Sequence, residues 1–413
     1  MTMNFRALAG AASLIALLAG GANAACMIEG AGSVRILSND FDALRIVNDT
    51  AAECASDAVK VTANASAEHK NIQGPALSAN PSEYTVAVVA NNSIVPLLSG
   101  DLIRPLDDLV AKYGASLSPN QLIKIDGKVM AIAFMGNGQH LFYRKDILEK
   151  AGVAVPKTYE EVLAAAEAIK AAGLMDHPLA ASDKPGWDLA AEFVNMYLGT
   201  GAEFFAAGSA DLAIDNDQGR AVLANMRALT GYMNPDYLTY DANELNKLWD
   251  AGSIAMMTQW GSLAGAAIGP DANPEVAANT EFAAAPTLAG GTVPTAALWW
   301  DGFTIAKNIS DEDAAASFQA MVHAISPDMM KANADKATWL IAGFEPGKAA
   351  SGVIANASGG ARAYPMQPYM GLLHTALSAE LADFIAGKEE ADQALADVKA
   401  AYDAAAKEGG FLK

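Results

Sequence analysis

Short apolar runs of strand length alternate along this chain with longer stretches that place apolar residues at helical spacing. Val34-Arg35-Ile36-Leu37, Val59-Lys60-Val61-Thr62-Ala63 and Tyr84-Thr85-Val86-Ala87-Val88-Val89 read as strands rich in β-branched residues. Turn formers bound them: Ser38-Asn39-Asp40 follows the first, Asn91-Asn92-Ser93 the third. A helical pattern runs from Phe41 to about Ala55, and Ile94 to Leu98 begins another. Strands alternating with helices predict an α/β protein built on parallel, helix-covered sheets.

The middle of the chain departs from this alternation. Asp126-Gly127 is a hairpin turn feeding the apolar run Lys128 to Phe134. Gly136-Asn137-Gly138-Gln139-His140 is polar, without helical period, and Leu141-Phe142-Tyr143 is apolar again before a charged helix that ends at Gly152. Pro156 follows, and Thr158 is an N-cap for a helix over 159–172. One polar segment joining two buried strands predicts a crossing between two lobes. It would serve as a hinge, with its side chains facing a cleft.

Downstream, Trp187-Asp188 opens a helix through Tyr197, Asp215 to Gly219 leads into one ending at Leu229, and Leu245 to Gly252 precedes a strand ending at Gln259-Trp260-Gly261. Phe282 to Pro286 reads as a strand returning to the first lobe, followed by Trp299-Trp300-Asp301-Gly302-Phe303-Thr304-Ile305 as another. A helix spans Asp311 to Ile325, and the remainder is helical apart from a loop at Arg362 to Pro368. There is no internal repeat, and no disordered tract is expected.

Residues 1–24 have the layout of a secretory signal: Arg6 supplies positive charge, Ala7 to Gly20 an apolar core, and Ala22-Asn23-Ala24 an A-x-A cleavage site. The apolar run is too short to span a membrane as a helix. The alternatives are an uncleaved anchor and a lipoprotein modified at Cys26, the latter opposed by Asn23 where a lipobox wants leucine. A periplasmic location follows. Cys26 and Cys54 form an even pair in an exported chain, which predicts a disulfide over two unpaired buried thiols. The chain of 413 residues is long enough for two lobes with ample cores. It carries 27 basic and 47 acidic residues, a net charge of −20, and loss of Arg6 with the signal leaves 26 against 47, or −21. Such a surface repels phosphate backbones, so no nucleic-acid partner is expected.

Enzyme signatures are scarce. The five histidines (His69, His140, His177, His323, His374) lie far apart in sequence without metal-ligand spacing. Gly136-Asn137-Gly138 is followed by Leu141 where a dinucleotide fingerprint needs its third glycine. No Gly-x-Ser-x-Gly elbow and no phosphate loop occurs. Neither catalysis nor a cofactor or metal is expected. A secreted carbohydrate-active enzyme, which needs two carboxylates facing one cleft, is the alternative of another class.

Four marks in order resemble one known family: Asp126-Gly127-Lys128-Val129, Phe142-Tyr143-Arg144-Lys145-Asp146, Lys150-Ala151-Gly152 and Pro156-Lys157-Thr158-Tyr159-Glu160-Glu161. Leu102 to Leu109, Ser253 to Gly261, Trp299 to Asn308 and Asp311 to Pro327 extend the likeness over most of the mature chain. These segments are similar to the family 1 extracellular solute-binding proteins, the maltose-binding-protein-like subunits of bacterial ABC importers. Arg144, Tyr159 and His140 depart from the usual residues. The resemblance implies a two-lobe periplasmic-binding-protein fold, type II-like, with a ligand cleft between lobes. It implies a first lobe of 25–135 plus 287–335 and a second of 136–286 plus 336–413. It also implies capture of a small carbohydrate by hinge closure and delivery to permease subunits, by a monomer. A polyol, a glycerol phosphate derivative or an amine is the alternative ligand.

Ligands of open α/β sheets lie outside the carboxyl ends of strands. That places Asn39, Asp40, Asn91, Asn92, Asn137, Gln139, His140, Gln259, Asp301 and Arg362 as candidate hydrogen-bonding residues, with Asp188 beside the helix start. Trp187, Trp260, Trp299 and Trp300 are candidate stacking faces for a sugar ring, each with a core position as its structural alternative. Trp299 and Trp300 are adjacent on a strand, so they point to opposite faces and at most one reaches the ligand.

Overall fold

The computed structural model describes residues 26–288 and 290–413. The segment read as a secretory signal lies outside the described residues.

Two sheets carry the fold. The strands are β1 (Gly32–Ser38), β2 (Val59–Ala65), β3 (Val86–Ala90), β4 (Leu122–Ile125), β5 (Lys128–Asn137), β6 (Gln139–Arg144), β7 (Leu179–Ala180), β8 (Met256–Trp260), β9 (Thr280–Ala283), β10 (Ala297–Ile305), β11 (Thr338–Trp339) and β12 (Arg362–Ala363). The larger sheet runs in the order β11-β5-β10-β3-β1-β2, with β4 added to β5 and β12 to β10. Its β1, β2 and β3 pair in parallel, as their alternation with helices predicted, whereas β10 runs antiparallel to both β3 and β5. The smaller sheet has the order β7-β8-β6-β9.

Local chemistry explains the key junctions. Asp126 and Gly127 both take positive φ, 50° and 78°, the mirror-image turn that suits the twist of a two-residue hairpin between β4 and β5. Val129 to Met135 is buried at every position, as expected of a central strand covered on both faces. The Thr158 hydroxyl accepts a hydrogen bond from the Glu161 N–H and caps the helix Tyr159–Ala171. Gly152 ends the preceding helix in the left-handed region at φ 70°.

Between β5 and β6 the chain passes from the larger sheet to the smaller through Gly138 alone. A Cβ on Gly138 would lie 3.1 Å from the carbonyl oxygen of Ala297, the first residue of β10, so the outgoing and returning crossings touch here. The return comes later than the sequence suggested. Phe282 belongs to β9, which pairs with β6 inside the smaller sheet, and residues 284–286 are not a strand. The Phe282 ring packs edge-on against Phe142 at 4.7 Å, which holds this segment in the second lobe. The C-terminal helices Met370–Ile385 and Ala391–Glu408 join the hydrophobic core built around the helix Trp187–Gly199. Cys26 and Cys54 are joined by a disulfide that ties the N-terminal segment to the turn after the first helix. Among the described residues, no helix is long and apolar enough to cross a membrane.

Candidate ligand-binding site

The crossing places aromatic rings side by side. Trp299 pairs with Asn137 at the end of β5, and Trp260 pairs with Gln139 at the start of β6, two residues on. Their ring centroids stand 6.0 Å apart, and Trp187 lies 5.9 Å from each. Tyr364, just beyond β12, stacks on Trp299 at 4.1 Å. Strand alternation sends Trp300 to the other side of β10, where it packs on the first-lobe core with Met366. Behind Trp187, His374 stacks at 4.8 Å; its Nε2–H donates to the Trp187 carbonyl while Nδ1 accepts from the Tyr364 hydroxyl. Burial lowers the pKa of His374 to about 4, so it stays neutral and fixes both rings. The Trp299 indole nitrogen is buried without a protein acceptor.

Three ionisable groups meet beside this cluster, Asp188 and Asp301 acting on Lys70. Asp188 follows Trp187 at the start of its helix, and burial raises its pKa. Asp301 sits at the β-bulge of β10, between Asp301 and Gly302. Burial pushes its carboxyl up to about 7, opposed by the positive charge of Lys70. Lys70, on the first-lobe helix His69–Ser78, brings Nζ 4.8 Å above the Trp187 ring. The site is thus an aromatic wall with two acids and one ammonium.

Beneath the rings lies a buried polar layer. Gln139 donates from Nε2 to Glu192 Oε1 at 2.9 Å and accepts from Asn195 Nδ2 at 2.8 Å. Asn195 Oδ1 in turn accepts from the Ala297 N–H at 2.8 Å. Asn356 closes the layer by donating to the Gln139 carbonyl and accepting from the Ala285 N–H, both at 2.7 Å. Both crossings are therefore fastened to the helix that begins at Trp187. Burial raises the pKa of Glu192 to about 8, with Asp183 adding to it, and that of Asp183 itself to about 7.

A model of the bacterial extracellular solute-binding proteins matches residues 58–322. The chain belongs to that family. The solute-binding protein is 27% identical over 210 residues to a Deinococcus radiodurans protein named "probable ABC transporter-binding protein". That match spans about half of the relative's length (48%) and 49% of this chain. Among solved structures it resembles a maltose-bound protein of T. maritima at a TM-score of 0.76 and 16% identity, covering 90% of this chain and 99% of that one. It also resembles two Agrobacterium solute-binding proteins. One, from A. radiobacter in complex with ribitol, gives a TM-score of 0.76 at 19% identity over 89% of this chain and 97% of that one. The other, from A. vitis with bound D-mannitol, gives 0.75 at 22% identity over 93% and 100%. The fold is that of these two-lobe binding proteins.

Several candidates of the solute-binding protein's sequence are engaged by the protein itself, some of them beside the rings. His140 is fully buried, stacked on Phe142 at 4.8 Å and edge-on to Phe282 at 5.4 Å, so it is a core ring and not a cleft residue. Gly352 leaves room for it: a Cβ there would lie 2.2 Å from His140 Nδ1. Gly352→Ala is expected to destabilise the protein by about 1–3 kcal/mol through overpacking, as read from urea unfolding midpoints; an unchanged midpoint would mean that the contact yields freely. Gln259 is also enclosed, accepting from the Trp260 N–H and donating to Ala242 O and Asn246 Oδ1. Asn137 bonds Ser262 and Gly138, and Asn91 bonds the backbone of Leu298 and Trp300. Asp40 is exposed and paired with Arg45, with Asn39 capping its N–H. Arg362 is held by Glu203 and the Ala202 carbonyl on the second lobe. Asn92 lines a groove of about 420 Å³ with Tyr364, at the edge of the aromatic wall. Lys70, Tyr364, His374, Asp183 and Glu192 were not foreseen, although Tyr364 falls in the aromatic-proline loop that the sequence displays.

Proposed function

We propose that this protein is the periplasmic binding component of an ABC importer, capturing a small carbohydrate or polyol between its lobes and delivering it to the permease. The observation that carries this reading is the aromatic cluster at the crossing, in which the half-buried Trp187 and Trp260 offer ring faces backed by the buried Trp299 and Tyr364, with the carboxyls of Asp188 and Asp301 beside it. Flat rings suit the C–H face of a sugar or polyol, and carboxylates accept hydrogen bonds from its hydroxyls. The relatives solved with maltose, ribitol and D-mannitol support the same ligand class. The lobes comprise 25–135 plus 287–335 and 136–286 plus 336–413, with Gly138 at the outgoing hinge and the return itself at Ala297, since Thr287 and Leu288 still pack with the second lobe. The larger sheet draws its strands from the first set and the smaller from the second, apart from the short β11 and β12. The protein works as a monomer, closes around its solute and releases it unchanged.

A thermal-shift screen over mono- and disaccharides and polyols identifies the ligand, because bound solute raises apparent stability by RT ln(1 + [L]/Kd). With that ligand, Asp301→Asn is expected to weaken binding by about 1.5–3 kcal/mol, roughly 10- to 150-fold by calorimetric titration. Unaltered affinity would place the ligand elsewhere, and formation of a sugar product in the mixture would favour an enzyme.

A further inference from the structure

Lys70 joins the two lobes at the ligand wall. It belongs to the first-lobe helix His69–Ser78, yet its Nζ lies over the ring of Trp187 on the second lobe. Asp301 from β10 and Asp188 from the Trp187 helix both act on it electrostatically, while burial works against its charge. Among the described residues this ammonium stands in no ion pair, and no protein hydrogen bond acts on the Asp301 carboxyl; only burial and the Lys70 charge do. The residue as a whole is exposed, and it is the ammonium, over the Trp187 ring, that loses water.

An aromatic face flanked by carboxylates is the arrangement by which proteins hold a cationic ligand. Here the chain fills that position with its own ammonium. A solute bearing an amine would meet a like charge where its nitrogen belongs, and an anionic solute would meet two carboxylates. A neutral polyhydroxyl solute meets neither penalty. Its hydroxyls can donate to Asp301 and Asp188 and accept from Lys70, with both kinds of bond charge-assisted.

We infer that Lys70 is a specificity-determining residue: its ammonium occupies the cation position over Trp187 between Asp188 and Asp301, and thereby restricts the site to uncharged polyhydroxyl solutes and excludes their aminated analogues. This inference rests on the proposed sugar or polyol function and sharpens it.

The test is calorimetric titration of the wild type, Lys70→Met and Lys70→Arg with matched neutral and aminated probes. The pairs are D-glucitol with D-glucamine, and D-glucose with its aminodeoxy analogue carrying the amine on the exocyclic carbon. At about pH 8 the amines are protonated and the carboxylates largely ionised. The wild type is expected to prefer the neutral member by about tenfold or more. Lys70→Met leaves two acids without a cation and is expected to shift the ratio towards the aminated member by about tenfold or more, while Lys70→Arg retains the wild-type preference. The inference is overturned if the wild type binds both members equally, or if Lys70→Met leaves the ratio unchanged. Should the wild type bind no neutral sugar or polyol, the proposed function fails. The aminated probes then decide Lys70 alone: Lys70→Met must bind one of them more tightly than the wild type, and equal binding, including none by either, overturns the assignment.

Discussion

Trp299→Ala is expected to lower stability by about 3–5 kcal/mol and to remove most ligand affinity together. The ring is 8% exposed and packs against Trp187, Trp260 and Tyr364, so its loss opens a cavity at the junction of the lobes. Those neighbours come from three separate elements, and none is placed to slide into the gap: Trp187 is held by His374, and Trp260 by its pairing with Gln139. Trp300→Ala removes a half-buried ring from the other side of β10 and should cost less, about 1–2 kcal/mol, with binding largely kept. Denaturant unfolding and calorimetric titration of the two variants separate these effects. Equal behaviour of both would show that the cluster is not the centre of the site.

Glu192 and Asp183 are expected to draw stability down as pH rises from about 5.5 to 8.5, against the buried neutral histidines His69, His140 and His374, which act in the opposite sense below about pH 6.5, and Glu192→Gln should remove the Glu192 share of the fall. Burial raises the carboxyl of Glu192 from 4.5 to about 8, and that of Asp183 from 3.8 to about 7. A raised folded-state pKa means that the folded protein holds these protons more tightly than the unfolded chain does. The resulting stabilisation is complete below the unfolded pKa and disappears as pH climbs through the folded one. The Glu192 contribution to the difference between the two pH values is on the order of 2–3 kcal/mol. Glutamine at this position still presents an oxygen to Gln139 Nε2, so the hydrogen-bonded layer survives without a titrating group. Urea unfolding of both proteins at the two pH values measures the effect. Identical slopes would mean that Glu192 does not titrate in this range.

The elements that local chemistry specifies were legible in the sequence. Asp126-Gly127 suited a tight hairpin, Thr158 stood where a cap was needed, and Gly136 to His140 marked the crossing, although β5 runs on to Asn137 and β6 begins at Gln139, so the strands continue through these polar residues and only Gly138 lies between them. The assignment of side chains within the site was less legible. Asn137, Gln139 and Gln259 have the chemistry of sugar-binding residues, but Asn137 and Gln259 accept hydrogen bonds from backbone N–H groups of the crossing and Gln139 is tied to Glu192 and Asn195. His140 looks polar in sequence, yet as a neutral ring between Phe142 and Phe282 it packs as an aromatic. Lys70 lies in an exposed helical stretch with no distinguishing pattern. Only the fold brings that helix opposite Trp187, and contact between residues more than 100 positions apart leaves no mark on local periodicity.

The strand order has a consequence for how the molecule comes to be. β10 lies between β5 and β3 in the larger sheet, yet it begins only at Ala297. Until that residue is available, β3 and β5 each present an unpaired edge, and the sheet holding the N-terminal strands has no middle. Sheets closed by so distant a pairing form late, after a long loop has been gathered in. The larger sheet is therefore expected to close only after β10 has emerged from the ribosome. The sheet that opens with β1 at Gly32 is completed only by β10 at Ala297.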